Sequence, residues 1–363
     1  MKLIEDAFYN ALQHIIARKP LSKELFTSLS EDEWRALCEL ARHQGVLAIV
    51  FDALEDVRTS IPSQIKLKWA YGAMQIEKRF DKQLQLANEI SDEFSKHNIK
   101  TVVLKGFAIS QYYPIPRHRE CGDFDCYLMG GRFEQGNTIA SKIGATVRFD
   151  DYKHSHINYK GLTIENHKFC TSIRGAKINK DFEKYLQQLL IDDKYGISQL
   201  NDYPIYYPSP TFNALFLIRH AMIHFLYEGI KIRHLLDWAC FINHENDKID
   251  WKACTYWCDK LNLSNFVLLL NKTIEKCIGL QLPSCPLKGS INDKNIDRFI
   301  ENILYSDSSV YNRKHSSIWG QRYAIVKNII LNRWKFSQVY NKSLTIELLR
   351  ASVSAIVERH PKL

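Results

Sequence analysis

Residues 101–129 read TVVLKGFAISQYYPIPRHRECGDFDCYLM, and this stretch decides the fold. Thr101-Val-Val-Leu104 is a short β-branched run, closed by Lys105-Gly106 and followed by a brief helical pattern to Tyr113. Pro114 and Pro116 end that pattern, and a loop carries Arg117, His118 and Arg119. Phe124 to Met129 then reads as a strand. Downstream, Phe133 to Ile143 predicts a helix and Ala145 to Phe149 a strand. His154 to Tyr159 and Leu162 to His167 predict two further strands, joined across Lys160-Gly161 as a hairpin turn. Strands and helices alternate only between residues 98 and 180.

Both flanks read as helical. Residues 1–97 contain a capping box, Ser30-Glu-Asp-Glu33, ahead of Trp34, Leu37, Leu40 and Ala41. A long helix is expected from Pro62-Ser63 to His97, with Ile76, Phe80, Leu84, Ala87, Ile90 and Phe94 at helical spacing. From Asp181 to the end, residues 181–363, the pattern returns to helix, clearest over Thr211–Leu226, Lys231–His244 and Trp251–Gly279. The expected fold class is therefore α+β: a small mixed sheet in residues 98–180, flanked by N-terminal and C-terminal helical regions.

Residues i and i+2 of a strand share a face, so Asp123 and Asp125 are expected to point the same way. Two carboxylates that close repel unless a cation lies between them. Hard oxygen donors suit Mg²⁺ (or Mn²⁺), which keeps waters and accepts phosphate oxygens as further ligands. The chain has three other such pairs, Glu31/Glu33, Asp181/Glu183 and Glu245/Asp247, and these read as helix starts or solvated loops. Gly106 closes the first strand 17 residues before Asp123 (123 − 106), where backbone N–H groups can approach a phosphate and Lys105 can add charge. Glu165 lies in the strand Leu162-Thr-Ile-Glu-Asn-His167 with His167 on its face, as a third metal ligand or a base.

In combination, Leu104-Lys-Gly106, Tyr113-Pro-Ile-Pro116, Arg119 and Gly122-Asp-Phe-Asp125 resemble the uncharacterised bacterial nucleotidyltransferase family of the DNA polymerase β-like superfamily. His220-Ala-Met-Ile-His224, Ile232-Arg233 and Leu236-Asp-Trp238 look like that family's helical C-terminal half, and the resemblance spans residues 30 to 250. It implies that Asp123, Asp125 and Glu165 are catalytic and hold the metal, and that Lys105, Gly106, Arg119 and His224 contact the nucleotide. The implied reaction moves a nucleoside monophosphate from a nucleoside triphosphate to an acceptor hydroxyl, releasing pyrophosphate. One departure is Phe107, where the superfamily usually carries Gly or Ser. It keeps open a nucleotide-binding regulator without turnover. The same residues would also serve an RNA- or tRNA-directed enzyme or a protein-modifying one, so the acceptor (small molecule, protein or RNA) stays open.

Composition agrees with a folded protein that meets anions: 45% of the 363 residues are hydrophobic, 25% are charged, and the formal charge is +9. Arg313, Lys314, Arg322, Lys327, Arg333 and Lys335 are interleaved with Trp319, Tyr323, Trp334 and Phe336. That stretch reads either as a nucleic-acid track or as an amphipathic helix with its aromatics inward. Cys254 and Cys258 lie one turn apart without a second ligand pair, so reduced buried thiols are expected rather than zinc. His220 and His224 share a face, as do Arg233 and Asp237, which could simply pair with each other across the helix surface. The N-terminus carries no signal-peptide pattern, and apolar runs such as Phe266-Val-Leu-Leu-Leu270 are too short for a membrane span. A cytoplasmic location is the expectation.

Overall fold

The computed structural model describes residues 2–149, 151–191, 204–305 and 330–340, together with the backbone of 198–199. A seven-stranded mixed sheet runs through the middle. Its strands are β1 (Thr101–Val103), β2 (Phe124–Leu128), β3 (Thr146–Arg148), β4 (His154–Tyr159), β5 (Leu162–His167), β6 (Ser198–Gln199) and β7 (Ile205–Tyr207). They are ordered β3-β4-β5-β2-β1-β7-β6. β2 pairs antiparallel with β1 and parallel with β5, and β4 pairs antiparallel with β5. The α+β expectation holds. The sheet nevertheless extends past residue 180, because β7 pairs parallel with β1, a strand that a purely helical reading of residues 181–363 omits. Lys160 (φ 50°) and Gly161 (φ 87°) both lie in the left-handed region, as a two-residue hairpin turn between β4 and β5 requires.

Helices cover both faces. The N-terminal ones are α1 (Lys2–Ala17), α2 (Lys23–Thr27), α3 (Glu31–His43), α4 (Leu47–Ala53) and α5 (Ser63–Ser95). The α3 capping box forms as expected: Ser30 Oγ accepts from the Glu33 N–H, and Glu33 accepts from the Ser30 N–H. At 33 residues α5 is about 50 Å long. Its first half packs Ile65 and Trp69 against the other N-terminal helices. Its second half lays Phe80, Ala87, Ile90 and Phe94 on the sheet face formed by Val103, Phe124, Cys126 and Ile164. After α6, a single turn at Phe107–Ser110, helix α7 (Phe133–Lys142) joins α5 on that face.

The C-terminal part supplies α8 (Lys177–Ile191), α9 (Pro210–Tyr227), α10 (Ile232–Glu245), α11 (Trp251–Lys260), α12 (Ser264–Cys277) and α13 (Asp293–Tyr305). α9 is buried on nearly every side, from Thr211 through Arg219, as its all-round apolar sequence demands. The single helix expected over Trp251–Gly279 is instead two, α11 and α12, parted at Asn262 with φ 57°. N- and C-terminal helices share one continuous core in which Phe8, Trp34, Trp69, Phe225 and Trp238 take part. Gln44 bolts them together: its side chain accepts from the Ile232 N–H at 2.9 Å and donates to the Ile303 carbonyl at 2.9 Å.

Other expectations need correction. Glu183 is neither solvated nor at a helix start; it is fully buried within α8 and accepts the N–H groups of Cys170 and Thr171, both at 2.8 Å. Arg313, Lys314, Trp319, Arg322, Tyr323 and Lys327 lie outside the described residues. Of the same stretch, Trp334 and Phe336 pack on Phe225 and Tyr227. Lys335 is buried as well, donating to the Phe225 carbonyl at 2.8 Å. Cys254 and Cys258 are buried free thiols. Among the described residues no helix is long and apolar enough to cross a membrane.

Candidate active site

The second sheet face is the one that bears polar groups. Alternation along β2 turns Phe124 and Cys126 into the α5 core and Asp125 to the opposite side, and β5 likewise turns Glu165 and His167. Register completes the arrangement: Asp125 lies beside Glu165, and Glu165 lies opposite His156 on β4. Asp123 immediately precedes β2, and the Gln83 amide holds the adjoining Gly122 carbonyl at 2.7 Å. Carboxylate oxygens of Asp123, Asp125 and Glu165 all lie within 4.8 Å of one another.

These residues floor a cleft of about 480 Å³ roofed by α9 and α10. Lys105, Gly106, Arg119, His167 and His224 also line it, so the residues singled out in the sequence converge on one cavity. Lys105 Nζ lies 3.0 Å from Asp125 Oδ1. Burial works against its charge, but the carboxylates of Asp125, Asp123 and Glu165 outweigh that and hold its pKa above the ordinary lysine value. His167 Nε2 lies 3.1 Å from Asp125 Oδ1 and 3.4 Å from Glu165 Oε2. Burial opposes the ionised form of Glu165 too, yet the hydrogen bond and charge of His167 prevail and bring its pKa down to about 2. Three converging carboxylates, matched here by an ammonium and an imidazole, are a donor set that fits a hard divalent cation.

Gly106 has φ 59° and ψ −110°, a conformation that β-carbon-bearing residues avoid. The turn therefore needs glycine for its backbone path. α6 beyond it is one turn long, too short to add much of a helix dipole. Phe107 does not obstruct the cleft. Its ring is buried on the other side of the sheet, edge-on to Phe80 at 4.9 Å and tilted on Phe124 at 6.1 Å. The opposite wall carries His220, His224 and His234, with ring centroids 4.4 Å and 5.6 Å apart in turn. His224 Nδ1 bonds Glu228 Oε2 at 2.6 Å. Burial, with the charge of Lys105 added, pushes His220 well below the ordinary histidine value and leaves it neutral.

Arg119 lines the cleft, with its guanidinium buried and held in two bonds by Asp237. Tyr113 also donates to Asp237, at 2.6 Å. Arg233 accordingly does not pair with Asp237 but donates to the Glu120 carbonyl at 2.8 Å.

The uncharacterised nucleotidyltransferase family matches residues 30–279, well over half of the 363 residues. The chain belongs to that family. No curated protein and no solved structure matches it. Within this nucleotidyltransferase, Lys153 and His154 are cleft residues that sequence reading missed. His154 was visible only as the first residue of a strand; its place opposite His167 comes from the β4–β5 register.

Proposed function

We propose that the protein is a metal-dependent nucleotidyltransferase that moves a nucleoside monophosphate from a nucleoside triphosphate to an acceptor hydroxyl, with release of pyrophosphate. The observation that carries this reading is the convergence of Asp123, Asp125 and Glu165 at the floor of the cleft. Asp123, Asp125 and Glu165 would hold Mg²⁺ (or Mn²⁺). When bound, that ion supplies charge neutralisation for the triphosphate and lowers the pKa of a hydroxyl it touches.

The chain's own groups divide the remaining work. Lys105 stays protonated beside the floor and offers its ammonium to phosphate oxygens. The Gly106 turn lets backbone N–H groups approach them without a side chain in the way. Glu165, with its pKa near 2, is a weak base, and Brønsted behaviour favours it as a ligand over a proton acceptor. His224 and the neutral His220 give the nucleoside a polar wall. Arg119 acts at one remove, fixing the loop between α6 and β2 against α10 through Asp237. Nine free cysteines, eight of them buried, suit a reducing compartment such as the cytoplasm.

The direct test incubates the pure protein with labelled ATP, GTP, CTP or UTP in cell extract and divalent metal. Label should enter one extract fraction with pyrophosphate release, and Asp125→Asn should abolish it. Transfer that persists in this variant or without metal overturns the reading.

A further inference from the structure

His154 and His167 face each other across the β4–β5 pair, and Glu165, next to His167 along β5, reaches both. Glu165 Oε1 lies 3.7 Å from His154 Nε2, and Oε2 lies 3.4 Å from His167 Nε2. Two donors each about 2.0–2.1 Å from one ion, at angles of 90–110°, stand about 2.9–3.4 Å apart. Each imidazole is thus within a few tenths of an ångström of sharing a coordination edge with Glu165, and the three side chains offer ligand atoms that all lie within 4.8 Å of one another.

A second observation points to an ion. His167 is 3% exposed, and its Nδ1 sits 3.2 Å from the Phe169 carbonyl. A carbonyl only accepts, so Nδ1 carries a hydrogen; Nε2 is turned on two carboxylates that likewise only accept, a place that a proton or a cation fills. That is the second-shell arrangement by which proteins fix a metal-binding imidazole. His154 Nδ1 is buried and has no hydrogen-bond partner among the described residues.

We propose that His154, Glu165 and His167 form a second cation site, taking a nitrogen-accepting transition-metal ion such as Zn²⁺ or Co²⁺. It adjoins the all-carboxylate position and shares Glu165 with it. Imidazole suits Zn²⁺ and its neighbours, whereas Mg²⁺ prefers oxygen and octahedral geometry. The two positions therefore differ in ion class although one carboxylate serves both. The inference does not require turnover or nucleotide.

Co²⁺ titrated into chelator-stripped full-length protein, followed by its visible ligand-field absorption, tests the site. A saturable, intense band is expected that excess Mg²⁺ leaves in place and Zn²⁺ removes. His154→Ala and the more conservative His154→Asn should weaken Co²⁺ by more than about ten-fold, the lower end for losing even an outer-shell partner. Asp123→Asn should leave the Co²⁺ band intact while impairing Mg²⁺-triphosphate binding, which separates this inference from the nucleotidyltransferase reading. Co²⁺ displaced by equimolar Mg²⁺, or bound equally by the His154 variants, overturns the proposal. X-ray absorption of the Zn²⁺-loaded wild type needs no variant: two imidazoles in the shell support the site, and an all-oxygen shell refutes it.

Discussion

Arg119 and Asp237 are 118 residues apart in sequence and meet in a two-point ion pair, Nε 3.0 Å from Oδ1 and Nη2 2.8 Å from Oδ2. Both side chains are almost wholly buried. Removing one partner strands the other's charge, which typically costs about 3–5 kcal/mol. Arg119→Ala should therefore lower the urea midpoint sharply, and Arg119→Ala/Asp237→Ala should regain part of the loss. An Arg119→Ala protein of normal stability but poor triphosphate affinity would return this residue to the phosphate-binding set.

Asp125 contacts both Lys105 and His167. Asp125→Asn removes a carboxylate ligand and leaves those two groups short of a counter-charge. Calorimetry should find Mg²⁺-triphosphate affinity reduced at least about ten-fold, a difference of about 1.4 kcal/mol. Equal affinity in wild type and variant, with and without Mg²⁺, would reject the metal assignment.

At Gly106 an added β-carbon would meet only Cys121 Sγ at 3.8 Å and the Asp123 carbonyl at 3.9 Å. Space is available, so the penalty for Gly106→Val comes from its φ of 59° and amounts to about 1–3 kcal/mol. The melting temperature should drop, and so should triphosphate affinity. Gly106→Ala should strain the backbone less. A Val variant with native affinity would mean that the turn does not cradle phosphate.

Glu165→Gln keeps size while removing charge. As the loss of a metal ligand, it should weaken Mg²⁺-triphosphate binding at least about ten-fold, as Asp125→Asn should, and slow turnover with it. Pyrophosphate release with acceptor present is the readout. Unchanged turnover would remove Glu165 from the reaction.

His118 is clasped between Asp52 and Glu77, the latter at 2.8 Å, and so ties the loop before β2 to α4 and α5. Burial pulls its pKa down, but the hydrogen bonds it donates to Asp52 and Glu77 prevail and hold it above the ordinary value of 6.5. A raised pKa in the folded state adds stability that is complete below 6.5 and fades as pH climbs through the raised value. Urea unfolding of wild type and His118→Gln should differ most in mildly acidic buffer and converge at alkaline pH. A gap that stays constant with pH would exclude the charged clasp.

Local signals made much of this legible. β-Branched runs, a glycine turn and alternating polarity are short-range features, so β1, β2, β4, β5 and the Asp123/Asp125 pair could be read directly. Contacts fixed by tertiary packing could not. Arg233 and Asp237 have ideal helical spacing, yet a partner 118 residues away captures the aspartate because both groups are buried together. Ile205-Tyr-Tyr207 is a run of strand formers, but three residues carry no periodicity, and only pairing with β1 makes them a strand. Glu183 resembles any helical acid until the buried N–H groups of Cys170 and Thr171 are seen to need it.

The parallel pairing of β1 with β7 also dictates an order of assembly. A ribosome delivers β1 roughly a hundred residues before its neighbour β7, and α10 with Asp237 comes later still. Until then the nascent sheet has its acidic floor but no roof, and the loop bearing Arg119 lacks its anchor. A polypeptide stalled or cleaved before residue 205 would present half a binding surface to chaperones and proteases. Synthesis thereby sets the moment at which the cleft is first enclosed, once α10 has followed β7 out of the ribosome.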